Sequence, residues 1–227
     1  MISGGNAFDV FPSEIFKAMT AKHPLEEAPR MANDFTRVNF VWWRYYPDAQ
    51  PDWYEYATSR AAAWDCPATL QSCIWLFPKN PRNDDLLEAL RRWEDVRAKN
   101  WLTKKQKLML RNPNQEHIFL INEEKEYELV PYTEIKDAAG KDERVRTFVF
   151  ERKNRSYAVC WHKTDSGKLC IPLSPDELEY EEKLGESNLL IEKSNDSSII
   201  ELKVRRYLST NSPMDKFVDA LINSKHI

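Results

Sequence analysis

The hydrophobic pattern changes period once, near residue 115, and this limits the fold more than any other feature of the chain. Before that point, β-branched and aromatic runs alternate with segments of helical period. Thr-Arg-Val-Asn-Phe-Val-Trp-Trp at 36–43 has strand character and stops short of Pro47. Pro51 then opens a helix with Asp52 and Glu55 in its first turn, where carboxylates meet the positive end of the helix dipole. Ala57, Arg60, Ala63 and Trp64 continue it, and Pro67 ends it. Residues 68–76 read as a second strand. Asn83-Asp84-Asp85 starts a second amphipathic helix, with Leu86, Leu87, Leu90, Trp93 and Arg97 on one side. Strand, helix, strand, helix is the rhythm of parallel βα units.

From about residue 115 the segments are short and strand-like: 117–122, 127–135, 145–151, 156–163, 168–173, 188–193 and 199–207. Turn signals separate them, at 139–141 (Ala-Gly-Lys), 153–155 (Lys-Asn-Arg), 165–167 (Asp-Ser-Gly) and 194–197 (Ser-Asn-Asp-Ser). Such spacing predicts an antiparallel sandwich or open barrel. A short helix is expected at 104–110, and a terminal one at 214–224 with Ser212 and Pro213 at its cap. The expected organisation is α/β plus all-β: βα units over residues 1–98, a connector over 99–114, and an antiparallel β-sandwich with a short C-terminal helix over 115–227.

Composition removes several function classes. The 33 Lys+Arg against 36 Asp+Glu give a formal charge of −3, without the basic footprint of a nucleic-acid binder. No apolar run approaches the ~18 to 20 residues needed to span a bilayer, and MISGGNAFDVF lacks a signal peptide's basic start and apolar stretch. With five glycines, at 4, 5, 140, 167 and 185, neither a GxGxxG turn nor a GxxxxGK loop can be written, so a glycine cradle for a nucleotide is excluded. The cysteines at 66, 73, 160 and 170 form no CxxC, and the histidines at 23, 117, 162 and 226 form no HExxH. Neither a cofactor nor a metal is expected.

Strand parity points to a candidate site. In the first strand Arg37, Asn39, Val41 and Trp43 alternate with an apolar set; in the second, Thr69, Gln71, Cys73 and Trp75 do the same. In a barrel of parallel strands the helix-facing side must be apolar, while the inner side can carry polar groups toward the C-terminal mouth. Asn39, Trp43, Gln71 and Trp75 are the lining candidates. The segment Arg44-Tyr45-Tyr46-Pro47-Asp48-Ala49-Gln50 would form a loop at that mouth, adding Arg44 and Tyr45. Aromatics beside amides and charges suit a sugar: CH-rich ring faces stack on aromatic planes while hydroxyls take hydrogen bonds. The competing reading places these polar groups in a satisfied core network and the aromatics in the helix layer.

Several strings carry a family resemblance. SGGNAFDVF at 3–11, EEAPRMANDFTRVNF at 26–40, QPDWYEYATSRAAAWDCPATLQ at 50–71, RRWEDVRAKNWLT at 91–103 and NQEHIFLINEEKEYELVPYT at 114–133 together resemble the C-terminal part of large secreted glycoside-hydrolase-like proteins. In these a (β/α)8 barrel precedes a β-sandwich domain. The resemblance implies a partial (β/α)8 barrel, its last two or so βα units, and full-length relatives that are secreted or periplasmic. It also places Asn6 and Asp9 on a loop before those units. A glycosidase needs two carboxyl groups across one bond, delivered from different barrel strands. Asp9 and Asp48 are the only acids expected near the mouth and the candidate catalytic carboxylates; with most of the barrel absent, the acid and base are expected on the missing strands and the fragment to be catalytically incomplete alone.

One test concerns the β-domain thiols. A three-residue loop at 165–167 would set His162 opposite Cys170, with Cys160 diagonal on the same side. A disulfide is then disfavoured, three soft ligands lack a fourth, and buried thiols packed as small hydrophobes are expected. Three readings of function remain. The first is a carbohydrate-acting barrel fragment that self-associates through an open barrel edge. The second is a free-standing carbohydrate-binding sandwich, using Tyr157, Trp161 and Tyr180. The third is a non-catalytic protein-interaction domain.

Overall fold

A computed structural model describes residues 42–121, 126–164, 166–180, 192–194 and 196–227. The chain divides into two compact units, Met1–Phe119 and Leu120–Ile227. Among the described residues no helix is long and apolar enough to cross a membrane.

The first unit has the expected βα order. Strand β1 (Trp42–Arg44) leads into helix α1 (Pro51–Ala63), then β2 (Thr69–Gln71), a 3-10 helix (Ile74–Lys79) and helix α2 (Asn83–Ala98). The two strands pair in parallel, as an intervening helix requires. Pro51 holds the first helical position of α1, where its missing N–H costs no hydrogen bond. Asp52 lies in that first turn, as expected, and is buried. Glu55 departs from the expectation: it too is buried, and its carboxylate accepts hydrogen bonds from Arg92 on α2, at 2.9 Å, and from the Trp93 indole N–H. Leu86, Ala89, Trp93 and Val96 form the buried side of α2.

Helix α3 (Lys104–Leu110) occupies the expected bounds. Thr103 accepts from the Gln106 backbone N–H while the Gln106 side chain accepts from that of Thr103, a reciprocal capping box. Beyond it β3 (Glu116–Ile121) runs across the division between the units.

The second unit is built from β4 (Tyr127–Glu134), β5 (Val145–Arg152), β6 (Arg155–His162), β7 (Lys168–Ile171), β8 (Glu179–Tyr180), β9 (Glu192–Ser194), β10 (Ser197–Glu201), β11 (Arg206–Thr210), helix α4 (Met214–Ile222) and β12 (Lys225–His226). The sheets run β3-β4-β5-β6-β11-β8 and β12-β7-β10-β9, and neither closes into a barrel. Every pairing described within them is antiparallel. The β5–β6 hairpin turns at Lys153 and Asn154, with φ of 48° and 60°. Both positions are left-handed, matching the twist of the strands they join. One core takes Val145, Val149, Ala158 and Leu208 from the larger sheet, Leu169, Ile171 and Ile200 from the smaller, and Phe217, Ala220 and Leu221 from α4.

Four expectations need correction. The run 68–76 is strand only to Gln71. The chain then turns into the 3-10 helix, which tolerates Pro78 at its end. The run 199–207 splits into β10 and β11, which join different sheets. The segments flanking 165–167 do not form a hairpin: β6 lies between β5 and β11, and β7 between β12 and β10. Helix α4 has Pro213 at its cap, as expected, but ends at Ile222 instead of 224, and the Ser212 carbonyl accepts from Ser156 Oγ. The stretch 36–41 and residues 188–191 lie outside the described residues.

Candidate functional site at the ends of the parallel strands

Parallel strands point their C-terminal ends, Arg44 and Gln71, the same way, so the segments that follow both strands lie on one side of the unit. Three hydrogen bonds staple those segments together. The Tyr45 hydroxyl reaches the Phe77 carbonyl at 3.3 Å, and Asn80 Nδ2 donates to the carbonyls of Tyr46 at 2.9 Å and Ala49 at 3.0 Å. Asn80 Oδ1 accepts from the Arg82 N–H at 2.7 Å, turning the chain into α2. Asn80 was not among the expected site residues. The Asn80-Pro81 pair was its only signal, as a turn signature.

Each expected lining residue can now be placed. Asn39 and Asp9 lie outside the described residues. Trp43 and Gln71 were expected to share a lining by parity, but the register aligns Trp43 with Leu70 and Arg44 with Gln71. Parity counted along each strand separately left the offset between them free. Tyr45 is fully buried, packed with Ala49, Tyr54, Leu86 and Ala89. Its ring meets Phe77 edge-on at 4.9 Å, and its one hydroxyl proton is shared between Asn83 Oδ1 at 2.8 Å and the longer contact to the Phe77 carbonyl. Burial, followed by the nearby Asp84 carboxylate, pushes this phenol up to about 12. It is a structural hydroxyl that stays protonated. Asp48 is exposed on the turn closed by the Ala49 N–H to the Tyr46 carbonyl, and its own carbonyl accepts from Gln50 Nε2.

Trp75 has moved from the expected strand to the 3-10 helix and is 68% exposed, with Ile74 beside it at 84%. Leu76 and Phe77, the next two residues, turn inward against the Tyr45 core. Of the six expected lining residues, Trp75 alone is described as presenting a side chain to solvent at this end of the strands. Pro47, Asp48, Pro78 and Lys79 are exposed on the same two segments. The arrangement offers a fixed aromatic plane and hydrogen-bonding groups, the components of a stacking site.

A second polar cluster occupies the other unit. His226 Nδ1 lies 2.9 Å from Asp142 Oδ2, and the His226 ring is 4.9 Å from that of His162. Arg144, through hydrogen bonds to the Asp142 carboxylate, holds that carboxyl well below the usual range. The expected placement of His162 opposite Cys170, with Cys160 diagonal, is not found: Cys160 is aligned with Thr147 and Arg206 in one sheet, and Cys170 with Ile199 and Lys225 in the other. No disulfide joins the four cysteines, and burial pushes the Cys160 thiol up to about 12. Cys66 and Cys160 are buried, Cys170 is half-buried and Cys73 is exposed. Among the described residues no three His, Cys, Asp or Glu side chains are grouped to hold a metal ion.

Comparison with protein-family descriptions, curated proteins and solved structures finds no match.

Proposed function

We propose that this chain is the C-terminal part of a glycoside-hydrolase-like protein acting on carbohydrate, incomplete as an enzyme by itself. The observation that carries the reading is the parallel pairing of β1 with β2 across helix α1, with α2 following. Among the described residues the parallel sheet is two three-residue strands, a poor sheet alone, since parallel sheets are ordinarily larger and covered on both faces. Further βα units would complete it, giving the partial (β/α)8 barrel that the sequence resemblance implies. The antiparallel second unit, with its own core, corresponds to the accessory β-domain, whose expected form is a sandwich. Without the other units the edge of the parallel pair is the expected site of self-association.

The free-standing sandwich reading loses two of its three platform residues. Tyr157 and Trp161 are 2% and 1% exposed, and they stack on Phe150 and Phe148 instead of facing solvent. At the strand ends, Asp48 is a single turn carboxylate, so no catalytic pair is assigned. The genomic DNA immediately upstream of the Met1 codon tests the proposal. An in-frame sequence encoding further βα units is the expected result; an in-frame stop codon before any such unit overturns it.

A further inference from the structure

We infer that the C-terminal strand β12 is an acid-released clasp, which covers the edge of β7 while His162 is neutral and lets go once His162 and His226 both carry an added proton. The inference is independent of the carbohydrate reading above. Strand β12 is two residues long, and residues 225–227 are tied down in three ways. The Ile227 N–H donates to the Lys168 carbonyl at 2.8 Å, and the Lys168 N–H to the Ile227 carbonyl at 3.1 Å. His226 Nδ1 meets Asp142 Oδ2 at 2.9 Å, while its ring lies against Gly167 and fills the space a Cβ there would take. The same ring packs on that of His162, with centroids 4.9 Å apart.

A proton does opposite things to the two imidazoles. Arg144 keeps Asp142 ionised, so His226 Nδ1 carries a hydrogen and donates it to that carboxylate. A second proton, at Nε2, makes His226 a cation beside an anion and strengthens the tie. His162 is 4% exposed, and its Nδ1 accepts from the Thr164 N–H at 3.4 Å, which leaves its own hydrogen on Nε2. A proton added at Nδ1 would face that N–H, sit away from water and stand next to the His226 cation. The other cations on the adjoining segments are Lys141 and Arg144 before β5, Lys163 after β6, Lys168 on β7, Lys203 after β10 and Lys225. The anions besides Asp142 are Glu143, Glu201 and the terminal carboxylate; Asp165 lies outside the described residues. Lys163 is half-buried and the other side chains named are exposed, so water screens them and the local contacts decide. With β12 released, His162 gains water and loses the neighbouring cation. The open form therefore binds the extra proton more readily, and its population rises as pH falls through the ordinary histidine range near 6.5. The apolar core of the unit is built without residues 225–227, so the opening is local and the sheets stay folded.

The test is amide hydrogen exchange of the full chain by NMR, corrected for the intrinsic pH dependence of exchange. Protection of the Lys168 and Ile227 amides is expected to fall about tenfold between about pH 7.5 and 5, while the amides that pair β6 with β11 keep theirs. His162→Gln, which keeps a side-chain acceptor and cannot take up the proton, should hold the change below about twofold. Protection of Ile227 that is level with pH in wild type overturns the inference, and so does an undiminished fall in His162→Gln. Wild type alone gives a second reading that needs no variant. The His162 Cε1–H resonance should report protonation over the same pH interval in which the Ile227 amide loses protection. Protonation of His162 with that amide still protected overturns the inference.

Discussion

The two units solve the same problem, a buried backbone, by different means. In the helical unit, buried Arg60 and Arg92 and half-buried Arg111 reach carbonyl groups. Arg60 donates to the carbonyls of Leu110 and Gln115, Arg92 to that of Phe119, and Arg111 to that of Ala63. Leu110 and Ala63 are the last residues of α3 and α1, positions where a helix leaves carbonyls without an internal partner. Arg111 also covers the Trp64 ring at 3.6 Å, sealing that end of α1. In the β unit the ladders satisfy the backbone, and the shared core of the sheets and α4 is apolar. Its ion pairs link neighbouring segments: Arg146 with Glu134, Arg152 with Glu128, and Arg155 with Glu179. Both units bury arginines, Arg60 and Arg92 in the first and Arg152, Arg205 and Arg206 in the second; what differs is that helix-end carbonyls in the first have no ladder partner and take one from Arg60 and Arg111.

The sharpest way to break this contrast is at Arg92, which is 3% exposed, within 2.9 Å of Glu55 Oε1 and 2.6 Å of Glu88 Oε1. Replacing it by leucine leaves the Glu55 carboxylate buried without its arginine. The expected loss is about 3 kcal/mol in urea unfolding followed by tryptophan fluorescence. Most of the eight tryptophans, all except Trp161, precede residue 119, so this signal reports the helical unit. The double variant Glu55→Leu/Arg92→Leu should recover at least half the loss, because the buried charge goes with its partner. A double variant as unstable as the sum of the singles would show that apolar packing, not charge, holds the helices.

In the β unit the corresponding point of failure is steric. A Cβ at Gly167 would overlap His226 Nε2 and stand 2.8 Å from Cδ2. The ring cannot swing away freely, since Nδ1 is engaged by Asp142 and Ile227 pairs with Lys168 on either side of the C-terminal strand. Gly167→Ala is expected to cost about 2 kcal/mol. In a His226→Ala background the same substitution should cost less than about 0.5 kcal/mol, measured as a double-mutant cycle by far-UV circular dichroism. Equal costs in both backgrounds would place the constraint in the backbone instead of the imidazole.

The periodic elements were the readable ones. Helix α3 matched its expected bounds because Thr103 and Gln106 mark its start and Leu110 its last buried turn. Strands β5 and β6 flank the Lys-Asn turn as the sequence indicated, though both are buried along nearly their whole length and do not alternate. Which strands pair was not readable where a loop changes sheets: 165–167 resembles a hairpin loop in composition, yet its flanking strands part. At the site, composition signalled an aromatic cluster, but depth was not encoded. Tyr45 and Trp75 both follow a parallel strand, and one is buried while the other is exposed. Neighbouring Arg91 and Arg92 are alike in sequence, and only the helix register sends the second inward.

The smallest expected effect separates the units by pH. His117, 1% exposed, is held neutral in the fold: burial, then the Arg60 charge, brings its pKa down to about 4 despite an opposing contribution from the Gln115 carbonyl. An unfolded chain takes up this proton near pH 6.5. Between pH 6.5 and 4 the unfolded state therefore binds more protons, so stability falls as pH falls through that window and is fully present above it. The expected decline is roughly 1 to 2 kcal/mol, read by tryptophan fluorescence, and His117→Gln should flatten it. Asp142 in the β unit acts in the same direction but in a lower window. Its carboxyl is lowered by Arg144, so its contribution is fully present above the ordinary carboxylate range and is lost progressively as pH falls through that range toward the depressed value. Acid should thus loosen the helical unit first, and a fluorescence midpoint that stays level from pH 7 to 4.5 in wild type would remove His117 as the cause.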